Sequence, residues 1–374
     1  MTLLTVNTGS SSTRIAAYRS DGGGGKRLVS AQYNAENRSP RSILGAFLTE
    51  IDNLEVEAIV HRIVHGGEAL SEPCLINKDV EREIQRLSEL APLHNPLALS
   101  WIQACREILG PQLLQIAVFD TGFYANLPAV AATYALPYDL SKKYGLRRYG
   151  FHGIAHQAMW ERWRKLRPDL KEGGRIISIQ LGSGCSITAI ERGRPEDTSM
   201  GFSPLEGLVM ATRCGDLDPG LITYLLREDF TLDEVENMLN TASGLLGLSG
   251  KSEDMRVLSK AGNPQARLAV SLYCYRVRKY VGAYLAVLGG AEGVVFGGGV
   301  GENSPSVRRQ ILKNMEWLGI ELDPEANAAA IGREAKISNS KSGIDVWVIS
   351  VDEAAILANE GAAVLERLEK GEVK

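Results

Sequence analysis

The chain has 374 residues, 44% hydrophobic and 23% charged, with 41 Lys+Arg against 45 Asp+Glu. That length exceeds the roughly 100–200 residues of one domain and predicts two, and the apolar content excludes a disordered chain. A net charge of −4 carries neither a nucleic-acid nor a membrane-surface signature.

In chain order, short apolar runs alternate with helical patterns, which predicts α/β layers. The first two strand-like runs are Leu3–Val6 and Arg14–Tyr18, joined by Gly9-Ser10-Ser11-Ser12. Asp21-Gly-Gly-Gly-Gly-Lys26 reads as a turn without function. Further strands are expected at Ala58–Val60, Gln115–Phe119, Ile176–Ile179, Ser186–Ile190, Gly293–Phe296 and Val346–Ser350. Asn95-Pro96 and Asn263-Pro264 each offer an N-cap before a proline that suits the first helical turn. Thr231-Leu-Asp-Glu234 is a capping box, and Asp352 is the expected N-cap of the last helix. A helix over 264–288 is expected to bury Leu268, Leu272, Tyr275, Val277 and Val281.

One stretch occurs twice. Leu3–Ala17 aligns without gaps on Ile176–Ile190, placing Gly9 on Gly182, Ser10 on Ser183 and Asn7 on Gln180. Both read strand, Gly-Ser turn, strand, which suggests a duplicated domain. Gly/Ser turns point backbone N–H groups inward and suit phosphate oxygens. A third cluster among the 39 glycines, Gly297-Gly-Gly-Val-Gly-Glu-Asn-Ser-Pro305, follows a strand and leads into a helix. Its backbone has room to approach a nucleotide and offers it a helix N-terminus.

Several motifs are excluded. No Gly-x-Gly-x-x-Gly follows a strand, and Gly250-Lys251-Ser252 lacks the spacing of a phosphate-binding Walker loop. His152 and His156 are interrupted by Gly153 and form no zinc motif. Cys74, Cys105, Cys185, Cys214 and Cys274 form no CxxC pair, so a reducing cytoplasm is expected. No apolar run approaches 18 residues and the N-terminus has no signal-peptide pattern, so neither secretion nor a membrane span is expected.

The candidate chemistry lies in loops after strands: His61-Arg62-Ile-Val-His65-Gly-Gly, Pro92-Leu-His94-Asn-Pro, Phe119-Asp120-Thr-Gly, Arg147-Arg-Tyr-Gly-Phe-His152-Gly and Thr212-Arg213-Cys-Gly-Asp. Cations and a few acids, with no nucleophile paired to a base, suit phosphoryl transfer, where positioning and charge neutralisation dominate.

These stretches, with Val6–Thr13, Asp197–Leu208, Ser243–Gly250 and Val300–Pro305, resemble the acetate kinase family across nearly the whole chain. This family comprises the short-chain acyl kinases of the acetate and sugar kinase, heat-shock protein and actin superfamily. The resemblance implies a duplicated two-domain, actin-like (ribonuclease H-like) ATPase fold with an inter-domain cleft. Residues 1–124 plus 355–374 would form the N-terminal lobe, and 125–354 the second lobe. It implies catalytic roles for Arg62, Arg213, Asp120, His152 and His94, with His61, His65 and His156 read as structural. Mg²⁺, or Mn²⁺, would be associated with Asn7 and Glu353. ATP or ADP would meet Asn7, Ser10 and Ser12, then Gln180, Gly182, Ser183 and Gly184. On the adenosine side it would meet Asp254, Met255 and Arg256, then Gly299, Val300, Gly301 and Asn303. The acyl group would meet Val64, Leu93, Phe151 and Pro204.

The implied activity is acetate kinase chemistry, with ATP and acetate giving ADP and acetyl phosphate by direct in-line transfer. The implied assembly is a cytoplasmic homodimer. The alternatives are a propionate or butyrate kinase, a pyrophosphate-linked acetate kinase, and a non-catalytic actin-like nucleotide-binding module. The sequence departs from the family pattern at Gln180 and Ser183, where His and Asn are usual. It departs again at Ala354, where a second Glu is usual, and at Gly297-Gly-Gly-Val300, where Thr-Ala-Gly-Ile is usual.

Overall fold

The computed structural model describes residues 1–9, 12–19, 25–34, 38–51 and 54–372. The chain folds into two compact units, Met1–Ala125 with Phe151–Ala158 and Asp352–Lys374, and Asn126–Gly150 with Met159–Val351.

The first unit holds strands β1 (Thr2–Thr8), β2 (Ser12–Arg19), β3 (Lys26–Asn34), β4 (Ala58–Ile63), β5 (Cys74–Leu75) and β6 (Leu114–Phe119), in the order β3-β2-β1-β4-β6-β5. The hairpin pairs are antiparallel, whereas β1–β4 and β4–β6 are parallel. Every residue of β1 and β4 is buried, the pattern expected of parallel strands covered on both faces. Strand alternation sends Leu4 and Val6 toward Ile43, Phe47 and Trp101 on one side. It sends Leu3 toward Val60, Val118, Ile154 and Leu357 on the other. Each such aliphatic side chain contributes about 1.5–3 kcal/mol on burial.

The second unit holds β7 (Arg175–Leu181), β8 (Cys185–Glu191), β9 (Arg194–Thr198), β10 (Gly293–Gly297), β11 (Ala335–Lys336) and β12 (Asp345–Val348), in the order β11-β12-β10-β7-β8-β9. Reversed, this is the plan of the first sheet: an antiparallel hairpin with a third strand, two parallel partners, and a short antiparallel edge strand. The duplication suggested by two hairpins therefore extends over both sheets.

Several expectations change in detail. The segment Phe151–Ala158 belongs to the first unit, not to a second lobe beginning at 125. Ile154 is buried in the first core, and the Tyr124 hydroxyl donates to the Phe151 carbonyl at 3.1 Å. The gapless alignment fails at the turn: β1 and β2 close Thr8 on Thr13, whereas β7 and β8 close Leu181 on Cys185, one residue shorter. His94, not Asn95, is the N-cap of the Asn95–Leu109 helix. The Asn95 side chain is occupied elsewhere, donating to the carbonyls of His65 and Ile84. In the Pro264–Leu288 helix, Leu268 and Tyr275 are exposed, because the buried stripe runs through Ala269, Tyr273, Val277 and Val281. The strand expected to reach Ser350 ends at Val348.

Asn263 and Asp352 do cap their helices, and the Thr231–Glu234 capping box is formed. Gly250 closes the Gly244–Ser249 helix in a left-handed conformation, so Gly250-Lys251-Ser252 is a helix terminus.

Candidate active site

Three parallel strands of the first unit bring their C-terminal ends together, where ligands bind in open α/β sheets. Asn7 comes from the end of β1, Arg62 from β4, and Asp120 directly follows β6. The Arg62 Nε donates to Asp120 Oδ1 and Oδ2 at 3.2 and 3.1 Å, and Nη2 donates to Oδ2 at 2.5 Å. Its Nη1 donates to Asn7 Oδ1 at 3.1 Å and to the Thr8 carbonyl at 3.4 Å. Asn7 Nδ2 in turn donates to Glu353 Oε2 at 2.6 Å. Asp120 is 0% exposed and Arg62 9%.

Burial alone would lower the Arg62 pKa, but Asp120 and Glu353 hold it above its ordinary value, so the guanidinium stays charged. Burial pushes the Asp120 carboxyl up, against the opposing pull of Arg62 and of the Ile154 N–H. Asp120 is therefore the partner of Arg62.

The Ile154 N–H belongs to the first turn of the Gly153–Leu166 helix. Gly153 permits that approach, since a Cβ there would lie 2.0 Å from the Asp120 carbonyl oxygen. Immediately before it, His152 adopts φ 57°, left-handed for a non-glycine residue. Such a conformation costs on the order of 1–3 kcal/mol and persists where surrounding structure imposes it. The His152 carbonyl accepts the His156 N–H at 3.0 Å, and the residue is half-buried.

The remaining first-unit candidates divide by exposure. Val64 and Phe151 are buried, Leu93 is 54% exposed and His94 is half-buried. Phe151 packs edge-on to His65 at 5.4 Å between ring centroids. Burial holds His61 and His65 at a pKa of about 4, and His156 at about 3. His61 faces Gln115 Oε1 at 2.7 Å, and His65 Nδ1 accepts the Gly67 N–H. All three are neutral interior side chains, as the structural reading expected. Gly9 N–H closes the first hairpin on the Ser12 carbonyl at 2.8 Å; Ser10 lies outside the described residues.

Arg213 and Pro204 lie in the second unit. The Arg213 guanidinium donates to the Pro204 carbonyl at 3.0 Å and makes no ion pair among the described residues. Burial lowers its pKa, and nearby Cys185 only partly offsets that. Ser183 is exposed at the tip of the second hairpin, where Gly182 N–H closes on the Gly184 carbonyl at 3.0 Å. Gln180 Oε1 is buried with no hydrogen-bond partner among the described residues. Asp254 caps the Met255–Leu258 helix and pairs with exposed Arg256, while Met255 turns inward at 4% exposure. Asn303 Nδ2 donates to the Gly299 carbonyl at 3.0 Å, and a Cβ at Gly299 would meet open space. Val300 is half-buried and Gly301 buried.

Sequence reasoning missed the supports around Pro204 and Arg213. Glu206 accepts from Arg148 Nη2 at 2.6 Å and from the Tyr134 hydroxyl. Asp216 accepts the Gly207 N–H at 2.8 Å, Arg276 Nη1 at 3.1 Å and the Tyr280 hydroxyl at 3.0 Å. Glu206 and Asp216 stand inside the quoted motifs, yet no spacing rule separates an acid that braces a loop from one that faces solvent.

Two sheets of one strand plan, each opened by a glycine-bearing hairpin, define the duplicated, actin-like ATPase fold class. Residues 23–359 match the model of the Acetokinase family. The chain belongs to that family. It is 46% identical over 319 residues to acetate kinase of Solibacter usitatus, covering 84% of this chain and 77% of the relative. Among solved structures it is similar to Porphyromonas gingivalis acetate kinase, at 35% identity and TM-score 0.84, over 97% of this chain and 99% of that one. It is also similar to a propionate kinase from Francisella tularensis, at 36% identity and TM-score 0.87, over 96% of this chain and 98% of that one.

Among the described residues no cluster of three or more His, Cys, Asp or Glu could hold a metal ion. Apart from Asp120, which Arg62 itself bonds, the oxygen donors beside Arg62 are one carboxylate, Glu353, with Oε2 on Asn7, and the Asn7 amide. That sparse oxygen set fits Mg²⁺, which takes one or two carboxylates together with waters and substrate phosphate oxygens.

Proposed function

We propose that this chain transfers the γ-phosphoryl group of ATP to acetate, giving acetyl phosphate and ADP, reversibly and by direct in-line displacement. A carboxylate oxygen forms the new bond to phosphorus as the bond to the ADP leaving oxygen breaks. The observation that carries this reading is the buried Arg62 guanidinium, seated on Asp120 and joined through Asn7 to Glu353.

An acetate anion and a polyphosphate repel, so the acceptor needs a fixed cation nearby. Asp120 holds Arg62 in place so that the cation is oriented before substrate arrives. Arg213, which pairs with no carboxylate among the described residues, supplies a second cation for the equatorial oxygens. His152 donates to the same phosphoryl group, and His94 assists on the acceptor side. Asn7 and Glu353 would hold Mg²⁺, which would supply positive charge to neutralise the phosphate oxygens. Ser10, Ser12, Gln180, Gly182, Ser183 and Gly184 contact the phosphates. Asp254, Met255, Arg256, Gly299, Val300, Gly301 and Asn303 line the adenosine side. The small residues at Gly297–Gly299 favour a nucleotide over pyrophosphate as donor. Val64, Leu93, Phe151 and Pro204 receive the methyl group.

Propionate is the second acceptor to consider, given the likeness to the Francisella propionate kinase. One methylene changes discrimination by only about 1–3 kcal/mol. The deciding experiment is a matrix of ATP and pyrophosphate against acetate, propionate and butyrate, with hydroxylamine trapping the acyl phosphate. Acetate with MgATP is expected to react fastest. Turnover confined to pyrophosphate, or to butyrate, overturns the assignment.

The chain is also proposed to act as a cytoplasmic homodimer. Its five cysteines are free thiols, which suits a reducing compartment. The Pro219–Arg227 helix is rich in Leu yet buries no residue, with Leu221 49% and Tyr224 56% exposed. Such an apolar face suits a second copy. Light scattering should give twice the chain mass, and Leu221→Glu with Tyr224→Glu should halve it; a monomeric parent contradicts the proposal.

A further inference from the structure

The Gly298–Asn303 helix starts from Gly297, which has no side chain to cap it. Its first N–H is met from within the helix instead, because Gly298 N–H donates to Glu302 Oε1 at 3.0 Å. The same oxygen accepts the Val351 N–H at 3.2 Å. Val351 is two residues before Glu353.

Packing around this oxygen is tight. A Cβ on Gly297 would lie 2.6 Å from Val351 Cγ2. Gly298, at φ +77°, has room only for hydrogen, since a Cβ would lie 2.6 Å from the Leu181 carbonyl and 2.9 Å from Gln180 Nε2. Two segments therefore meet at one carboxylate, the glycine turn and the backbone that runs on to Glu353, and the end of β7 with Gln180 packs against Gly298 of that turn. The Glu302 main chain is itself fixed, its carbonyl accepting from Arg308 Nη1 and from the Gly332 N–H, both at 3.2 Å. Arg308 is 0% exposed and, among the described residues, bonds neutral oxygens alone, those of Gly301, Glu302, Asn327 and Ala330. It braces the turn from behind.

We propose that Glu302 is a positioning residue that ties the glycine turn to the Val351 backbone, so that nucleotide seating and the setting of Glu353 for Mg²⁺ are adjusted together. The proposal rests on the MgATP-dependent reading given above. Without the carboxylate, two N–H groups lose a shared acceptor, and the turn and the approach to Glu353 can shift independently. Arg62 is seated by its own bonds to Asp120 and makes none to Glu302 among the described residues, so the acetate KM reads acceptor binding separately.

Glu302→Ala removes the link, and Glu302→Asp shortens its reach by one methylene. Glu302→Gln keeps an oxygen able to accept both N–H groups. Loss of two hydrogen bonds to a charged acceptor predicts about tenfold or greater rises in the KM for MgATP and in the Mg²⁺ needed for half-activity, for Ala and Asp. The acetate KM should stay near the parent value in both, and Gln should remain close to the parent throughout. If Ala does not fold, Asp against Gln decides. Unchanged MgATP and Mg²⁺ dependence in the Ala or Asp variant overturns the proposal. So does an equal loss in Gln, or a matching rise in the acetate KM. Should the parent make no acyl phosphate from MgATP, the kinase reading fails on its own. Calorimetric titration of ATP with and without Mg²⁺ then still tests Glu302, with weakened Mg²⁺-dependent binding expected for Ala but not Gln, and equal affinities counting against it.

Discussion

Arg62 and Arg213 are both held in strand-end or loop positions and both partly withdrawn from water, yet they are held by different means. Arg62 is clamped on a fully buried carboxylate and an asparagine, so its charge is matched before any substrate is present. Arg213 rests on a backbone carbonyl and a methionine sulfur, pairs with no carboxylate among the described residues, and burial presses on its charge. A matched cation is already oriented but has an anion of its own. An unmatched one gains most when an anion arrives. Under the proposed transfer the first orients the acceptor and the second answers the charge on the moving phosphoryl group.

The largest expected effects separate these roles. Arg62→Ala and Arg213→Ala should each lower kcat by about 10³–10⁵, as loss of an arginine does in phosphoryl transfer. Their effects on folding should differ. Arg62→Ala strands Asp120 in the interior, which costs about 3–5 kcal/mol. Arg213→Ala leaves no buried carboxylate and should cost much less. Urea unfolding distinguishes them, and equal destabilisation would remove the contrast.

A smaller effect is a pH dependence of stability set by the buried histidines. His61 and His65 sit at about 4 and His156 at about 3, against an unfolded value of about 6.5. The unfolded chain binds more protons below pH about 6.5, so stability is full above that value and falls as pH drops toward 4. The urea midpoint should decline across that window. A flat midpoint would show that these rings are not held neutral.

The smallest effect is expected at the second hairpin. Gln180→His with Ser183→Asn should change the nucleotide KM by a few fold, since both parent residues still offer hydrogen bonds. Unchanged nucleotide kinetics would make the two positions neutral for the donor.

Much of this was legible in the sequence because the interior strands carry continuous apolar runs. β1, β4, β6, β7, β8 and β10 all announced themselves in that way. β3 and β9 did not, since they are edge strands with largely exposed or polar residues such as Lys26, Arg27, Glu196 and Asp197. The second hairpin hid its missing residue, because a strand–turn–strand pattern does not fix the pairing register. Site residues at strand ends were readable as types, but partners were not. Arg62 could have met Glu68 or Asp120, and only the parallel pairing of β4 with β6 chooses Asp120. Likewise nothing in the order of residues 298–302 says that Glu302 turns back on Gly298 and reaches Val351.

The central claim is that Arg62 and Arg213 act on one phosphoryl group. The most direct measurement is kcat for acetyl phosphate formation in Arg62→Ala, Arg213→Ala and the double variant, under saturating MgATP and acetate. Groups that act as a unit are strongly non-additive, so the double variant should be little slower than either single one. Single effects that multiply, or near-parental turnover in either single variant, would contradict the account.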